Sequence, residues 1–166
     1  FRSVTVDPAA DLAPGTGFYV EVAAGAIEDA AGNPFAGISG TTTFNFSTAT
    51  PVPAVIINEV LFDPATGNDG DANGDGTRDF SEDEFVEIVN TGSAPADLSG
   101  WTLSDDDGDD FAFPAGTTLA AGQAAVLFGG GTPTGDFGGA LVFADDGSIG
   151  TGLANSGDLV ELRDGG

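Results

Sequence analysis

The chain has no cysteine, no histidine, no methionine and no lysine, and its only cationic side chains are Arg2, Arg78 and Arg163. Each absence removes a class of chemistry. Without Cys or His there is no Ser-His-Asp triad, no thiol nucleophile, no zinc centre of the usual kind and no haem ligand. Without Lys there is no Schiff base and no phosphate-loop lysine. The 3 Lys+Arg stand against 27 Asp+Glu, a formal net charge of -24. Such a surface repels nucleic acid and anionic lipid, because both are held mainly by Lys and Arg on phosphate. No run of about 20 apolar residues is present, so no helical membrane span is expected. No segment reads as a signal peptide. With no Met anywhere, Phe1 is not expected to be a natural start, and the chain reads as a piece of a larger precursor. The lack of Cys says nothing here about redox compartment, since a large acidic β-protein can live outside the cell without disulfides.

What is present is the composition of a folded protein. Of the 166 residues 40% are hydrophobic, with 13 Phe, 1 Trp and 1 Tyr, whereas disordered acidic tails are poor in aromatics. The 27 Gly and 9 Pro mark frequent turns and so short strands. Period-two alternation prevails over helical periodicity. Expected strands are Ser3–Val6, Phe18–Ala23, Thr42–Ser47, Val55–Leu61, Glu84–Asn90, Trp101–Ser104, Asp110–Phe113, Ala124–Phe128, Ala140–Phe143 and Leu159–Leu162. The expected class is all-β, a sandwich. Pro51-Val52-Pro53 is the one linker signal, since two prolines stiffen the chain and remove two amide donors. It separates residues 1–50 from residues 54–166, and the first piece is too short for a whole immunoglobulin-like sandwich of about 100 residues.

Two stretches carry resemblances. The first runs through Leu12-Ala13-Pro14-Gly15-Thr16, Phe18-Tyr19-Val20-Glu21-Val22, Ile27-Glu28-Asp29-Ala30-Ala31-Gly32-Asn33-Pro34 and Thr43-Phe44-Asn45-Phe46-Ser47-Thr48. It resembles the C-terminal half of a bacterial Ig-like domain of the surface-layer protein type, which implies turn, strand, Asp-x-x-Gly-Asn turn and last strand over residues 1–50. The second rests on Ile56-Ile57-Asn58-Glu59-Val60, Asp83-Glu84-Phe85-Val86-Glu87-Ile88-Val89-Asn90, Leu98-Ser99-Gly100-Trp101-Thr102-Leu103, and Phe111-Ala112-Phe113-Pro114 followed by Leu119-Ala120-Ala121-Gly122. Residues 54–162 thereby resemble the bacterial lamin-tail domain, which implies an Ig-like β-sandwich. A long acidic insertion separates its first two motifs. The end looks early, because that family usually adds another strand after Leu159–Leu162. Bacterial lamin-tail domains often accompany secreted nucleases or phosphatases, or sit in multi-domain surface proteins.

The insertion contains Asp-Ala-Asn-Gly-Asp-Gly-Thr-Arg-Asp-Phe-Ser-Glu at 71–82, which fits the calcium-loop pattern D-x-[DN]-x-[DN]-G-x5-E. Asp71, Asn73 and Asp75 occupy loop positions 1, 3 and 5, and Gly76 permits the sharp turn at position 6. Thr77 offers its carbonyl at 7, Asp79 stands at 9, and Glu82 supplies a bidentate carboxylate at 12. Ca2+ takes six to eight hard oxygens, and a tight loop presents alternate side chains to one centre. Position 8 is usually apolar and is here Arg78; flanking helices are not expected, so the loop is read as a staple across a connection between strands. The bland alternative is a solvated acidic loop. Against it, residues 63–84 hold eight carboxylates and one cation, and two carboxylates at 4 Å repel by about 1 kcal/mol in water and several times more near a protein surface.

Other acids carry less. Asp105-Asp106-Asp107-Gly108-Asp109-Asp110 lacks a position-12 equivalent and reads as a solvated turn, with a second ion as the alternative. Asp145-Asp146-Gly147 reads as a turn. Glu59 and Glu87 fall inside strands and read as rim carboxylates with backbone partners; the alternative is a glycosidase acid–base pair across adjacent strands. Trp101 is read as core rather than as a sugar platform. The buried set expected from alternation is Ile56, Val60, Val86, Ile88, Leu98, Trp101, Leu103, Val126, Phe128, Val142 and Leu159. Val4, Val6, Val20, Val22, Phe44 and Phe46 are expected to lack full cover. Together these readings imply a non-catalytic, calcium-stabilised β-sandwich module of a large secreted or cell-surface bacterial protein, serving spacing, adhesion or assembly. The alternative is an accessory domain of an extracellular nuclease or phosphatase whose catalytic domain lies elsewhere. Expected partners are calcium and neighbouring copies or domains that add a strand to the incomplete Ig-like piece, not nucleic acid and not a membrane interior.

Overall fold

The computed structural model describes residue 3, residues 5–105 and residues 111–165. The chain divides into two compact units, Phe1–Pro51 and Val52–Gly166. The expected alternation at Thr42–Ser47 yields only a short ribbon in the first unit. Strand β1 (Gly17–Tyr19) pairs antiparallel with β2 (Asn45–Ser47), and the register sets Phe18 opposite Phe46. Their rings stack at 5.7 Å. Two isolated bridges, Val22 to Ile38 and Glu28 to Pro34, extend the pairing. Asp29 holds the turn between them. Its carboxylate accepts from the Asn33 side chain and from the Ala31 and Asn33 amides, and these bonds hold its pKa below the usual carboxylate value. No described residue of this unit is fully buried. Val20 and Val22 are half-buried, while Val6, Phe44 and Phe46 are exposed. Val4 lies outside the described residues. No strand forms over the described residues 3, 5 and 6.

The second unit is built from β3 (Val55–Leu61), β4 (Phe85–Asn90), β5 (Ala96–Asp97), β6 (Thr102–Ser104), β7 (Phe111–Ala112), β8 (Thr118–Leu119), β9 (Ala124–Phe128), β10 (Leu141–Ala144) and β11 (Glu161–Arg163). One sheet has the order β10-β9-β4-β3, a second the order β11-β6-β7, and β5 pairs with β8. All pairings are antiparallel except β9 with β10, which is parallel and so needs the crossover at residues 129–140. The architecture is all-β, an Ig-like sandwich. Its core joins Val86, Ile88, Leu98, Leu103, Leu119, Leu127 and Ile149. Phe111 and Phe113 meet Phe143 of the opposite sheet at 5.8 and 5.3 Å.

Strand positions follow the apolar runs, but three expected core residues face outward: Ile56 (46% exposed), Val142 (37%) and Leu159 (52%). On β3 the inward residues are Val55, Ile57 and Val60. The spacing changes from two to three because the β3–β4 register shifts between Ile57 and Glu59, a bulge that adds one residue to one strand. On β9 and β10 the inward residues are Ala125, Leu127, Leu141 and Phe143. Val126 and Phe128 are buried, as expected, but on the other face, where Phe128 meets Phe85 at 5.6 Å and Phe137 of the crossover at 5.3 Å. Leu159 precedes β11, whose inward residue is Leu162. Trp101 is half-buried and packs on the core.

Candidate metal centre

The acidic insertion joins β3 to β4 and folds back on itself through its own carboxylates. The Asp and Asn side chains at loop positions 1, 3 and 5 each turn to receive an amide ahead of them. Asp71 Oδ2 accepts from Gly76 N–H at 3.0 Å, Asn73 Oδ1 from Asp75 N–H at 3.0 Å, and Asp75 Oδ1 from Thr77 N–H at 2.8 Å. This is the side-chain-to-backbone bonding that Asx residues use to build turns. Gly76 has φ 93, which a residue with a Cβ rarely adopts. Asp79 Oδ1 accepts from Ser81 and Glu82 N–H, and those two bonds, Ser81 first, hold its pKa below the usual carboxylate value.

Arg78 explains its own departure from the pattern. Its guanidinium donates to the Pro64 and Ala65 carbonyls at 2.7 and 3.0 Å, tying the start of the insertion to its middle. An apolar side chain at that position could not make those bonds. A 3-10 turn at Asn68–Gly70 leads into the loop.

Two buried acids that follow the motif anchor it. Asp83 is fully buried; one oxygen accepts from Asn73 N–H at 3.0 Å and the other from Asp79 N–H at 2.7 Å. Glu84 is 4% exposed and accepts from Leu153 N–H at 2.9 Å. Burial pushes its carboxyl up to about 7, with the Asp158, Asp63 and Asp79 charges adding to the effect. The neutral acid is therefore favoured in the fold. Below pH 4.5 Glu84 is protonated in both folded and unfolded chains and carries no penalty. Between about 4.5 and 7 only the unfolded chain ionises, so stability falls as pH rises, by about 3 kcal/mol in all at 1.36 kcal/mol per unit. Glu84→Gln keeps an acceptor for Leu153 N–H and removes the charge. It is expected to melt higher than the parent at pH 8 and alike at pH 4.5; a constant difference across that range would refute this role for Glu84.

The loop rests on a glycine track at the end of β9. Asn73 is fully buried and donates through Nδ2 to the Gly130 carbonyl at 3.2 Å. Its own carbonyl accepts from Thr134 N–H at 2.8 Å, and Thr132 N–H donates to Asp75 Oδ2 at 3.2 Å. A Cβ on Gly131 would come within 2.5 Å of Asn73 Nδ2 and 2.7 Å of Asp75 Oδ2. One on Gly129 would fall on the Ser81 carbonyl oxygen. Gly129→Ala is therefore expected to displace the loop and destabilise the second unit by about 1–3 kcal/mol, as overpacking does. Denaturant melts check this, and an unchanged midpoint would show that the loop yields freely.

Of the six ligands expected from sequence, Asn73 and Asp75 converge beside Gly131, Asp71 reaches Gly76, and Asp79 meets Asp83 through its amide. Thr77 is exposed, and Glu82 passes half-buried beside Gly130, whose Cβ would come within 3.0 Å of its Cγ. Among the described residues no group of three or more Asp or Glu side chains is gathered closely enough to hold a metal ion. One atom stands apart: Asp71 Oδ1 is buried and has no hydrogen-bond partner. A carboxylate oxygen in that condition is costly unless a cation or donor reaches it.

Of the second acid cluster, Asp105 is 4% exposed and its Oδ2 accepts from Thr151 N–H at 2.8 Å; positions 106–110 lie outside the described residues. Asp145-Asp146-Gly147 bends after β10, where Asp145 N–H donates to the Phe128 carbonyl and Gly147 N–H to the Gly129 carbonyl, carrying the contact with β9 past its end. Glu59 and Glu87 do stand opposite one another on adjacent strands, with Glu59 exposed and Glu87 held by Asn58 Nδ2 at 2.6 Å. Sequence reasoning did not single out Asp83 and Glu84 as anchors, because strand periodicity absorbed them. The run Phe128-Gly129-Gly130-Gly131 was a signal in plain view, since three glycines after a strand invite another backbone to approach.

Fold and site together define a class: two all-β units, one a strand-poor Ig-like piece and the other an Ig-like sandwich whose acidic insertion is bound to the end of a central strand. The Lamin Tail Domain family model matches residues 48–166, and the Bacterial Ig-like domain model matches residues 1–48. The chain belongs to the lamin tail domain family. No curated protein matches the chain. Among the described residues no helix is long and apolar enough to cross a membrane.

Proposed function

We propose that this chain is a calcium-stabilised, non-catalytic β-sandwich module of a larger secreted or cell-surface protein, where it serves spacing, adhesion or assembly. The observation that carries the reading is the buried, unpartnered Asp71 Oδ1 inside a loop with oxygen side chains at positions 1, 3, 5, 9 and 12. Calcium is the cation that suits hard, mostly anionic oxygens in a flexible loop. The amide bonds to Asp71, Asn73 and Asp75 orient those side chains; calcium would be held by them together with the Thr77 carbonyl, Asp79 and Glu82, and would neutralise the crowded carboxylates. Equilibrium titration by calorimetry, with calcium added to the parent chain and to Asp75→Ala/Glu82→Ala, tests it. One ion bound by the parent and none by the variant is expected; equal heats would end the claim. Assembly has its own support in the first unit. A two-stranded ribbon is marginal alone, and the exposure of Phe44 (54%) and Phe46 (42%) suits an added strand from a neighbouring copy or domain.

A further inference from the structure

Glu84 has one carboxylate oxygen engaged and one that is not. Oε2 accepts from Leu153 N–H at 2.9 Å, while Oε1 has no hydrogen-bond partner among the described residues, although the side chain is only 4% exposed. Glu84 stands at a cavity of about 300 Å3 that is also lined by Phe62, Asp63, Phe80, Leu153 and Asn155. Asn155 Nδ2 donates to Asp63 Oδ1 at 3.3 Å and so holds a second carboxylate at the same cavity. Phe62 (48% exposed) and Phe80 (67%) remain open to solvent. Among the described residues no cationic side chain lines the cavity, and Arg78 is tied instead to the Pro64 and Ala65 carbonyls. The charges that reach Glu84 from nearby are those of Asp158, Asp63 and Asp79, all negative.

We propose that this cavity binds a primary alkylammonium group, its N–H donating to Glu84 Oε1 and its alkyl chain lying against Phe62 and Phe80. Each feature of the cavity narrows the class. An anion is repelled by its carboxylates. A neutral apolar ligand leaves the buried oxygen of Glu84 without a donor. Calcium takes six to eight oxygens, whereas this lining combines two carboxylates with two aromatic rings, and no group of three or more acids is gathered among the described residues. A guanidinium is matched to both oxygens of a carboxylate, and here Leu153 N–H already holds one of them. A quaternary ammonium has no N–H to donate. A primary ammonium is a compact cation with three donors, which suits one open oxygen. Aromatic faces attract the same charge.

The test titrates n-butylammonium into the full, isotope-labelled chain at pH 8 and follows the amides by NMR. Because Phe80 belongs to the acidic loop, one series contains calcium and a second contains chelator. The Leu153 amide, which donates to Glu84, is expected to shift in both series, together with residues 80–84 and 151–155. Tetramethylammonium and methylguanidinium are expected to bind at least about fivefold more weakly, and n-butanol not at all. Glu84→Gln is expected to weaken butylammonium binding about tenfold. Phe62→Leu and Phe80→Leu keep apolar bulk but lose the ring face, and are expected to weaken it about threefold each. Melting curves check that the variants fold; if Glu84→Gln does not, the two Leu variants still decide. A pentapeptide with one Lys among glycines separates the sources. Tighter binding than butylammonium assigns the site to a lysine of a partner protein, and equal or weaker binding assigns it to a free amine. Equal affinity for tetramethylammonium would overturn the proposal, as would binding that none of the three substitutions changes. So would loss of amine binding on adding calcium, which would make the cavity a metal site.

Discussion

Calcium is expected to raise the melting temperature of the second unit by several degrees, and chelator to abolish the gain. If the ion binds only the folded state, stability rises by about 2.7 kcal/mol at a hundred times the dissociation constant. Extracellular calcium modules work with dissociation constants of about 10⁻⁴–10⁻³ M, so millimolar concentrations are needed to see it. The loop should respond before the sandwich does. It carries no buried apolar side chain between residues 71 and 82, and Phe80 is 67% exposed. With chelator, proteases are therefore expected to cut within residues 63–84 while β4 and β9 stay protected. Asp75→Ala/Glu82→Ala should behave with calcium as the parent does with chelator. Equal melting and equal cleavage in all four samples would mean that the insertion is merely acidic. Because Glu84 lies two residues from Glu82, the comparison belongs at pH 8, above the range in which Glu84 titrates.

Asn90→Ala is expected to be the most damaging single substitution, lowering stability by about 3–5 kcal/mol. Asn90 is fully buried at the end of β4 and uses its whole amide. Its oxygen accepts from Ala54 N–H at 3.1 Å and Gly92 N–H at 3.0 Å; its nitrogen donates to the Ala94 and Leu119 carbonyls at 2.8 and 3.0 Å. One side chain thus joins the entry to β3, the turn after β4, and β8. Removing it takes the partner from four backbone groups, of which the Leu119 carbonyl is bonded in a buried setting and the other three in part-buried ones; a buried group left unpaired costs about 1–3 kcal/mol before relaxation. Asn90→Asp is a sharper probe, since a carboxylate still accepts but cannot donate. It should lose the Ala94 and Leu119 bonds and recover stability partly at acid pH, when protonation restores one donor. Chemical denaturation of both variants checks this, and a loss below about 1 kcal/mol for Asn90→Ala would show that the turn relaxes around the gap.

Much of this arrangement was legible in the residues. The runs Val55–Leu61 and Ala124–Phe128 are strands with those bounds. The motif at 71–82 announced its glycine turn and its oxygen side chains. The short strands β5 and β8, two residues each, were not legible, because two residues carry no periodicity and exist only through each other. Nor was the burial of Asp83 and Glu84, whose acidity argued for solvent until the loop folded over them.

Composition excluded the chemistries whose residue types are missing, and short alternating runs bounded by Gly and Pro announced the all-β architecture. Alternation settled which residues share a face, but not which face is inside. Tertiary structure decided that. On β9 both faces are buried, one in the sandwich and one near the crossover carrying Phe137, so the apolar pattern could not choose between Leu127 and Phe128. On β3 a single added residue at the bulge moved the inward set from Val55 and Ile57 to Val60. The loop followed the same division: local sequence set its turns, because those bonds span two to five residues. Its seat on Gly129–Gly131 came from contacts made across more than fifty residues; the glycine run marks a close approach, but only the tertiary structure decides which segment makes it.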